Sequence, residues 1–255
     1  MSDTPFPIHD PDVAPRLLAA FDADHKIPRA LAALGPVEGR DVVLVDADRG
    51  FRAAQLAALG ARLTLLERPE RVEELRGSVA DLAAVIDVRA GTSVQTGLPD
   101  ASADVLVALW SSFRGPSPIA EVAEAERILR PGGRLLVVHD YGRDDHVLME
   151  PAIGDDAVAW SRRDGWFLTH GFRIRVIHAF WTFADDDEAH ELLGATFGEP
   201  GVRFAGAASR PRASHNVAVY HRNRGGEGSP RVDQKAGPAP EDGPSGPRPS
   251  AARHP

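Results

Sequence analysis

The sequence predicts an α/β fold in which a doubly wound, mostly parallel sheet carries helices on both faces. Short apolar runs such as Val42–Val45 and Val105–Leu109 recur along the chain and alternate with segments of helical periodicity. Near-continuous apolar strands joined by amphipathic helices are typical of a parallel sheet buried on both faces. Glycine and proline mark the ends of several segments, which supports the division into separate elements.

The first part of the chain is predicted to supply two leading helices and then alternating strands and helices. The helix at 26–34 ends at Gly35-Pro36, which is a usual stop signal. Ser117 is placed to cap a helix at 118–129, and Pro131-Gly132 suits a type II turn before a strand at 134–139. The remaining predicted elements are a helix at 12–21, strands at 41–46, 62–67, 84–89 and 104–109, and helices near 50–59 and 69–77.

The later part of the chain has a different pattern. A helix is predicted at about 155–169, because Gly171 follows it as a stop signal. Residues 172–183 and 214–221 alternate between apolar and polar side chains, as strands with one covered face do. A helix starts near Asp185, where Glu188 is spaced for a capping box.

Composition limits the classes of function. The chain has 255 residues, a net charge of −8 and no cysteine. An acidic balance argues against nonspecific binding to nucleic acid or to an anionic membrane, and the lack of cysteine excludes disulfides and thiolate metal sites. No apolar run approaches the roughly 20 residues that span a bilayer, and the N-terminus lacks the pattern of a signal peptide. We therefore expect a cytoplasmic protein with a small-molecule partner; the sequence does not indicate its oligomeric state.

We divide the chain into three parts. Residues 1–25 form a helical lead-in, residues 26–222 form one α/β domain, and residues 223–255 form a tail rich in proline and glycine. The tail has almost no large apolar side chains, so it cannot bury enough surface to offset the entropy of ordering it. We expect it to be disordered.

One stretch of the chain has the order that a doubly wound sheet uses to hold a nucleoside. The first strand runs into the polar loop Asp46–Gly50, a helix follows, and the second strand ends on Glu67. In such folds the loop amides and the helix N-terminus bind the polar end of the ligand, and the terminal acid accepts the ribose hydroxyls.

This stretch, with the Leu98-Pro99 run before Asp104 and the Arg130–Val137 segment, resembles the class I S-adenosylmethionine-dependent methyltransferases. The resemblance covers roughly residues 26–222. It implies a Rossmann-like, seven-stranded sheet whose last strand is antiparallel, S-adenosylmethionine as cofactor, and methyl transfer, which we expect to act on a small molecule. The alternative is a methyltransferase-fold protein without catalysis that binds or regulates a partner and does not take the usual cofactor.

The loop departs from the family pattern, which has three alternate glycines there. This chain has Asp46 and Asp48 at the first two positions and only Gly50 at the third, so the glycine motif is degenerate. Three interpretations stay open. The aspartates bind a ligand cation, or Arg49 or Arg52 compensates for the ligand carboxylate, or the aspartates serve only as turn and N-cap residues. The predicted cofactor-binding residues are Asp46, Asp48, Gly50, Glu67, Thr92, Ser93 and Trp110.

The densest group of polar side chains follows the fifth strand, at residues 139–146. His139 and Tyr141 are the predicted catalytic residues, as acid/base groups near a substrate heteroatom. A second interpretation is a divalent metal site, which would be formed by His139, Asp140, Asp144 and His146. The spacing matches no established metal signature, so we predict no metal there. A third is a solvated loop in which Asp140 or Asp144 pairs with Arg143.

Overall fold

A computed structural model of the chain describes residues 4–225 apart from 9, 11, 152–156 and 158. The predicted tail lies outside the described residues from position 226 onward. Part of the helix predicted at 155–169 lies outside them as well. Among the described residues, no helix is both long and apolar enough to cross a membrane.

The described strands form one seven-stranded sheet in the order β3-β2-β1-β4-β5-β7-β6. The first five strands pair in parallel, and β7 pairs antiparallel with both β5 and β6. The predicted doubly wound sheet with an antiparallel last strand is therefore confirmed. The strands are β1 (Asp41–Val45), β2 (Arg62–Glu67), β3 (Ile86–Ala90), β4 (Ala103–Leu109), β5 (Leu129–Asp140), β6 (Arg173–Thr182) and β7 (Arg212–Asn223).

Helices of the described chain cover both faces of this sheet. They are α1 (Ala14–Ala20), α2 (Lys26–Leu34), α3 (Phe51–Ala58), α4 (Val72–Ser78), α5 (Ile119–Ile128), α6 (His146–Met149), α7 (Trp166–Thr169), α8 (Asp186–Phe197) and α9 (Glu199–Ala207). Alternate residues of β1 serve two separate cores, with Val42 and Leu44 in one and Val43 and Val45 in the other. This alternation is why the strands are apolar throughout.

Two predicted helix features are wrong. The segment at 155–169 is not one helix, because the chain turns at 162–165 before α7 begins. Gly165 sits in that turn, where an added Cβ would lie 2.6 Å from the carbonyl oxygen of Trp160. Ser117 does not cap α5, whose N-cap position is Pro118 and whose first turn has no side-chain cap. The helix α9 was not predicted at all.

Strand register gathers the functional loops at one edge. Val45, the last residue of β1, lies beside Leu66 of β2 and Ala108 of β4. Leu109, which ends β4, lies beside Val138 of β5. The loops after β1, β2, β4 and β5 therefore all leave from the carboxyl edge, where open α/β sheets bind ligands.

The N-terminal lead-in packs into the same core as the sheet. Phe6 and Phe21 contact Trp181 of β6, with ring centroids 4.4 and 5.3 Å away. Asp22 caps α2, since its carboxylate accepts two backbone N–H groups at 2.9 Å each. Asp22 also pairs with Arg52 of α3 at 3.5 Å, and neither side chain has any exposed surface. This buried pair joins the lead-in to the helix that follows the polar loop.

Helix α9 is predicted to depend on Gly201. An added Cβ there would lie 2.1 Å from the carbonyl oxygen of Leu193 in α8. Because backbone atoms cannot move aside easily, Gly201→Ala should lower the free energy of unfolding by about 2–3 kcal/mol, as measured by urea denaturation. Gly206→Ala in the same helix is the control, since its Cβ would lie 3.5 Å from the nearest atom, His190 Nε2. Equal stability of the two variants would contradict this close packing of α8 against α9.

Candidate functional site

The loop after β1 has glycine-like backbone geometry at three alternate positions. Asp46, Asp48 and Gly50 have φ values of 58°, 45° and 79°. Aspartate tolerates the left-handed region better than most residues, although it has a cost that glycine does not. An added Cβ at Gly50 would lie 2.3 Å from Val79 Cγ1, so only glycine fits there. The chain thus keeps the turn that the family builds with glycines while two of the three are replaced.

The carboxylate of Asp46 is directed back into the protein. Its Oδ2 accepts a hydrogen bond from the hydroxyl of Ser112, in the loop after β4. Burial raises the pKa of Asp46 and the neighbouring Glu67 raises it further, while the hydrogen bond from Ser112 acts in the opposite direction. Asp46 therefore adds a second carboxyl group beside that of Glu67, and their proximity has an electrostatic cost.

Both the side chain and the backbone N–H of Asp48 have partners within the protein. Its side chain forms an ion pair with Arg71, in the short turn that leads to α4. Its backbone N–H donates to Glu67 Oε2 at 3.2 Å. The interpretation of Asp48 as an N-cap is wrong, because α3 has Gly50 at its N-cap position and no side-chain cap.

Glu67 is held in one orientation at the end of β2. Its Oε1 accepts the backbone N–H of Arg68 at 2.9 Å, and its Oε2 accepts that of Asp48. The residue is only 3% exposed. A carboxylate has about four acceptor positions, so two amide bonds leave each oxygen able to accept a hydroxyl. Glu67 can therefore accept hydroxyl groups in addition to its two amide bonds, and its role as the ribose acceptor stays a prediction.

The two arginines proposed to compensate a ligand carboxylate differ in position. Arg52 is fully buried, where it donates to Gln55 at 2.7 Å and pairs with Asp22. It serves the core and does not face the loop surface. Arg49 is exposed, so of the two it is the one that a ligand carboxylate could reach.

The other predicted cofactor contacts lie in the loops after β3 and β4. Thr92 Oγ1 accepts the backbone N–H of Gln95 at 3.2 Å, and Ser93 Oγ donates to Glu121 at 3.3 Å. Glu121 also accepts the backbone N–H of Phe113 at 2.7 Å, which joins these two loops. Trp110 is 2% exposed and belongs to the main core. The structure brings these residues to one edge of the sheet, and their role with a cofactor stays a prediction.

The two predicted catalytic residues have different surroundings. His139 has no exposed surface, stacks on Trp160 with centroids 4.3 Å apart, and contacts Phe167 and Tyr220. Burial, with a smaller effect from Arg114, lowers the pKa of His139 to about 3, so the ring is neutral at pH 7. Tyr141 is half-buried, and its hydroxyl accepts from Arg143 at 3.2 Å. Their catalytic role stays a prediction.

A buried group of polar side chains lies at the same edge, and the sequence indicated only some of its members. Asp140 Oδ1 is 2.8 Å from His215 Nε2, and His215 lies in β7, far along the chain. The ring of His146 lies beside that of His215, with centroids 4.0 Å apart. No local spacing indicates a partner so distant in sequence; only the antiparallel pairing of β5 with β7 brings it near.

The predicted pairing of Asp140 or Asp144 with Arg143 is wrong. Asp140 bonds to His215, and Asp144 accepts the backbone N–H groups of Asn216 and Val147. Burial raises the pKa of Asp140 to about 6, and Glu150 adds to that effect, while His146, Arg114 and Trp110 act against it. Burial and nearby Arg52 lower the pKa of His215 to about 3.

A cleft of about 470 Å³ lies elsewhere, at the amino ends of β1, β2 and β3. Asp41, Arg62 and Ile86 line it, and each of them begins a strand. Ligands of doubly wound sheets bind at the opposite edge. We therefore place the candidate site at the carboxyl edge and not in this cleft.

Comparison with known proteins agrees with this geometry. Residues 47–137 match the model of a family described as a methyltransferase domain. No curated protein matches the chain. A solved structure from Anabaena variabilis, described as a methyltransferase from an antibiotic biosynthesis pathway, is 14% identical with a TM-score of 0.55, and the match covers 80% of this chain and 99% of that one.

A second solved structure is geranyl diphosphate C-methyltransferase from Streptomyces coelicolor, in complex with Mg²⁺, geranyl diphosphate and S-adenosyl-L-homocysteine. It is 10% identical with a TM-score of 0.50, and the match covers 85% of this chain and 86% of that chain. At such identities the two structures establish likeness of fold. The family match covers residues 47–137, and over the rest of the chain the likeness to methyltransferases is one of fold.

The ionised carboxylate of Asp46 should lower the free energy of unfolding near neutral pH. Because its folded pKa is raised above the ordinary 3.8, ionisation is harder in the folded state, and stability is lost as pH rises through this interval. Asp46→Asn keeps an oxygen for Ser112 and removes the charge. Its free energy of unfolding should match that of the wild type below pH about 3.8 and exceed it at pH 7.

Urea denaturation at several pH values tests this. The control is Asp81→Asn at an exposed position, which should change stability little at any pH. A variant Asp46→Asn that is less stable than the wild type at pH 7 would contradict the account of Asp46 as a buried, strained carboxylate.

Proposed function

We propose that the chain binds S-adenosylmethionine at the carboxyl edge of β1, β2 and β4 and transfers its methyl group to a small molecule. The observation that carries this proposal is the loop at 46–50. Its backbone has glycine-like φ values at all three alternate positions, and the carboxylates of Asp46 and Asp48 are bound to Ser112 and Arg71. The replacements therefore change the loop chemistry without filling the turn.

Each part of the ligand has a counterpart in this edge. Glu67, oriented by two backbone amides, would accept the ribose hydroxyls. The loop backbone at 46–50 and the start of α3 would bind the methionine portion, with Arg49 near its carboxylate. The hydroxyls of Thr92 and Ser93 would face the adenine, and Trp110 would form a wall behind the ligand.

The charge of the edge suits a cationic ligand. Burial raises the pKa of Asp46, and the neighbouring Glu67 carboxylate raises it further. A positive sulfonium nearby would relieve this repulsion. When bound, the cofactor supplies an electrophilic methyl group. The protein then needs only to align a nucleophile with it and to exclude water.

We also propose that the substrate is a small molecule and that the protein is cytoplasmic. A net charge of −8 disfavours nucleic acid as the substrate. The Streptomyces coelicolor structure holds the small molecule geranyl diphosphate, which is consistent with a small substrate in this fold. Acid/base assistance by His139 or Tyr141 remains part of this proposal, with the neutral ring of His139 buried against Trp160.

A second candidate is a protein of this fold that binds or regulates a partner without taking the cofactor. One observation favours it: Glu67 is almost fully covered, and the Asp48–Arg71 ion pair lies against it. The side chains of Asp48 and Arg71 are 12% and 26% exposed. A ligand that binds Glu67 from this side would have to displace a largely buried ion pair.

Calorimetric titration with S-adenosylmethionine separates the two candidates. We expect micromolar binding by the wild type, which corresponds to about −8 kcal/mol. Glu67→Gln replaces an acceptor by an amide that cannot satisfy both backbone N–H groups and both hydroxyls, so affinity should fall at least about 10-fold. Glu70→Gln, at an exposed position three residues on, should bind as the wild type does.

A different result of the same titration would support the second candidate. If the wild type shows no heat at millimolar ligand while the double variant Asp46→Gly with Asp48→Gly binds, the aspartates close the site. The chain would then be the non-catalytic protein of the second candidate.

A further inference from the structure

The buried group at the end of β5 has the composition of a metal site. Asp140, His146 and His215 each offer one ligand atom, and these atoms all lie within 4.8 Å of one another. The three residues are 4%, 1% and 0% exposed. They come from three different elements, β5, α6 and β7. Solvated acidic clusters are common on protein surfaces, but a carboxylate and two imidazoles converging in the interior are not.

Two polar atoms in this group have no hydrogen-bond partner. His146 Nε2 and Glu150 Oε2 are buried and unsatisfied, and they lie 3.7 Å apart. Leaving buried polar atoms without partners costs free energy, so each such atom calls for an explanation. His146 begins α6, and Glu150 is the residue that follows its last turn. A shared ligand between them would satisfy both atoms.

The charges of the group also lack compensation from within it. It contains the carboxylates of Asp140 and Glu150 together with two histidine rings. Of the neighbouring cations, Arg52 pairs with Asp22, and Arg114 donates to the carbonyl oxygen of Trp110. A buried carboxylate is stabilised by a paired cation or by metal coordination. Neutral imidazoles are also the form in which histidine binds a metal.

We propose that Asp140, His146 and His215, with Glu150, bind one divalent transition-metal ion such as zinc. Imidazole together with carboxylate suits zinc or iron better than magnesium or calcium, which prefer oxygen ligands alone. A set of four protein ligands without an open position is typical of a structural ion. This proposal departs from the absence of a metal predicted from sequence spacing, because His215 supplies the ligand that no local motif contains.

The ion would hold α6 against the sheet. This helix has only four residues, and a single turn is marginal by itself because nucleation is costly. Coordination through His146 and Glu150 would fix it to β5 and β7. The cluster lies on the face of β5 that also carries Val138, next to Trp110, the first residue after β4. The ion would therefore stiffen the boundary of the proposed cofactor site.

Two hydrogen bonds of His215, to Asp140 and from Trp181, must change for the ion to bind. Trp181 Nε1 donates to His215 Nδ1 at 3.3 Å, so the ring proton lies on Nε2 and points to Asp140. Coordination through Nε2 moves that proton to Nδ1, and the indole loses its acceptor. A hydrogen bond of 3.3 Å is longer than the usual range for N–H donors, so its loss is small beside a set of metal–ligand bonds.

Zinc binding to the full chain tests the proposal. Protein treated with a chelator and dialysed is titrated with ZnCl₂ by calorimetry, and with CoCl₂ while visible absorption is recorded. We expect one ion per chain, a tetrahedral cobalt spectrum and a raised melting temperature. His146→Gln and Glu150→Gln should each weaken binding at least about 10-fold. His190→Gln, at a half-buried position of α8 outside the cluster, is the control and should bind as the wild type does.

The proposal is overturned if the wild type binds no zinc or cobalt, or if His146→Gln and Glu150→Gln bind with unchanged affinity. Circular dichroism shows whether each variant is folded. Glu150 is partly exposed at its side chain, so Glu150→Gln gives a valid result even where His146→Gln does not fold. The metal titration contains no S-adenosylmethionine, so its outcome is independent of the methyltransferase proposal.

Discussion

The hydrogen bond from the backbone of Asp48 to Glu67 is the constraint on which the rest of the site depends. It joins the loop after β1 to the end of β2, across two strands that pair in parallel. Because the amide of Arg68 binds the other oxygen, the carboxylate has one orientation. The loop in turn holds its left-handed turn, which Gly50 alone can complete against Val79. In the proposed nucleoside site, which lacks glycine at its first two positions, these backbone bonds fix the geometry of the loop and of Glu67.

Several carboxylates lie at this edge of the sheet, although burying an ionised carboxylate costs free energy. Asp46, Glu67 and Asp140 are all partly or wholly buried there, and burial raises the pKa of Asp46 and of Asp140. Each has specific partners, namely the hydroxyl of Ser112, two backbone amides, and the ring of His215. A core selected for stability alone would use apolar residues instead. Their presence together at this edge supports the proposed sites for a cationic cofactor and for a metal ion.

Local patterns predicted the parts of the structure that local chemistry determines. The apolar runs gave β1 to β5, and the position of Glu67 at the end of β2 followed from the order of strand, loop and helix. Half of the predicted capping box formed: Asp185 accepts the N–H of Glu188, whereas Glu188 accepts that of Ala184, one residue before the N-cap. The helix at 155–169 failed because a turn at Gly165 interrupts it, which helical periodicity alone does not reveal.

Contacts between distant residues could not be predicted in this way. Ser112 binds Asp46 across 66 positions, and His215 binds Asp140 across 75. Both depend on strand order, in which β4 lies beside β1 and β7 beside β5. Only the assembled sheet shows that the carboxylates of Asp46 and Asp48 bind other side chains of the protein. Only the assembled sheet brings His215 next to Asp140.

A crystal structure of the chain grown with S-adenosylhomocysteine tests the central claim most directly. The account predicts ribose hydroxyls on Glu67, with the backbone at 46–50 unchanged and Asp46 still bonded to Ser112, while the Asp48–Arg71 ion pair opens. A ligand bound away from Glu67, or a loop that must refold to admit it, would contradict the claim that this chain keeps the cofactor site of its family.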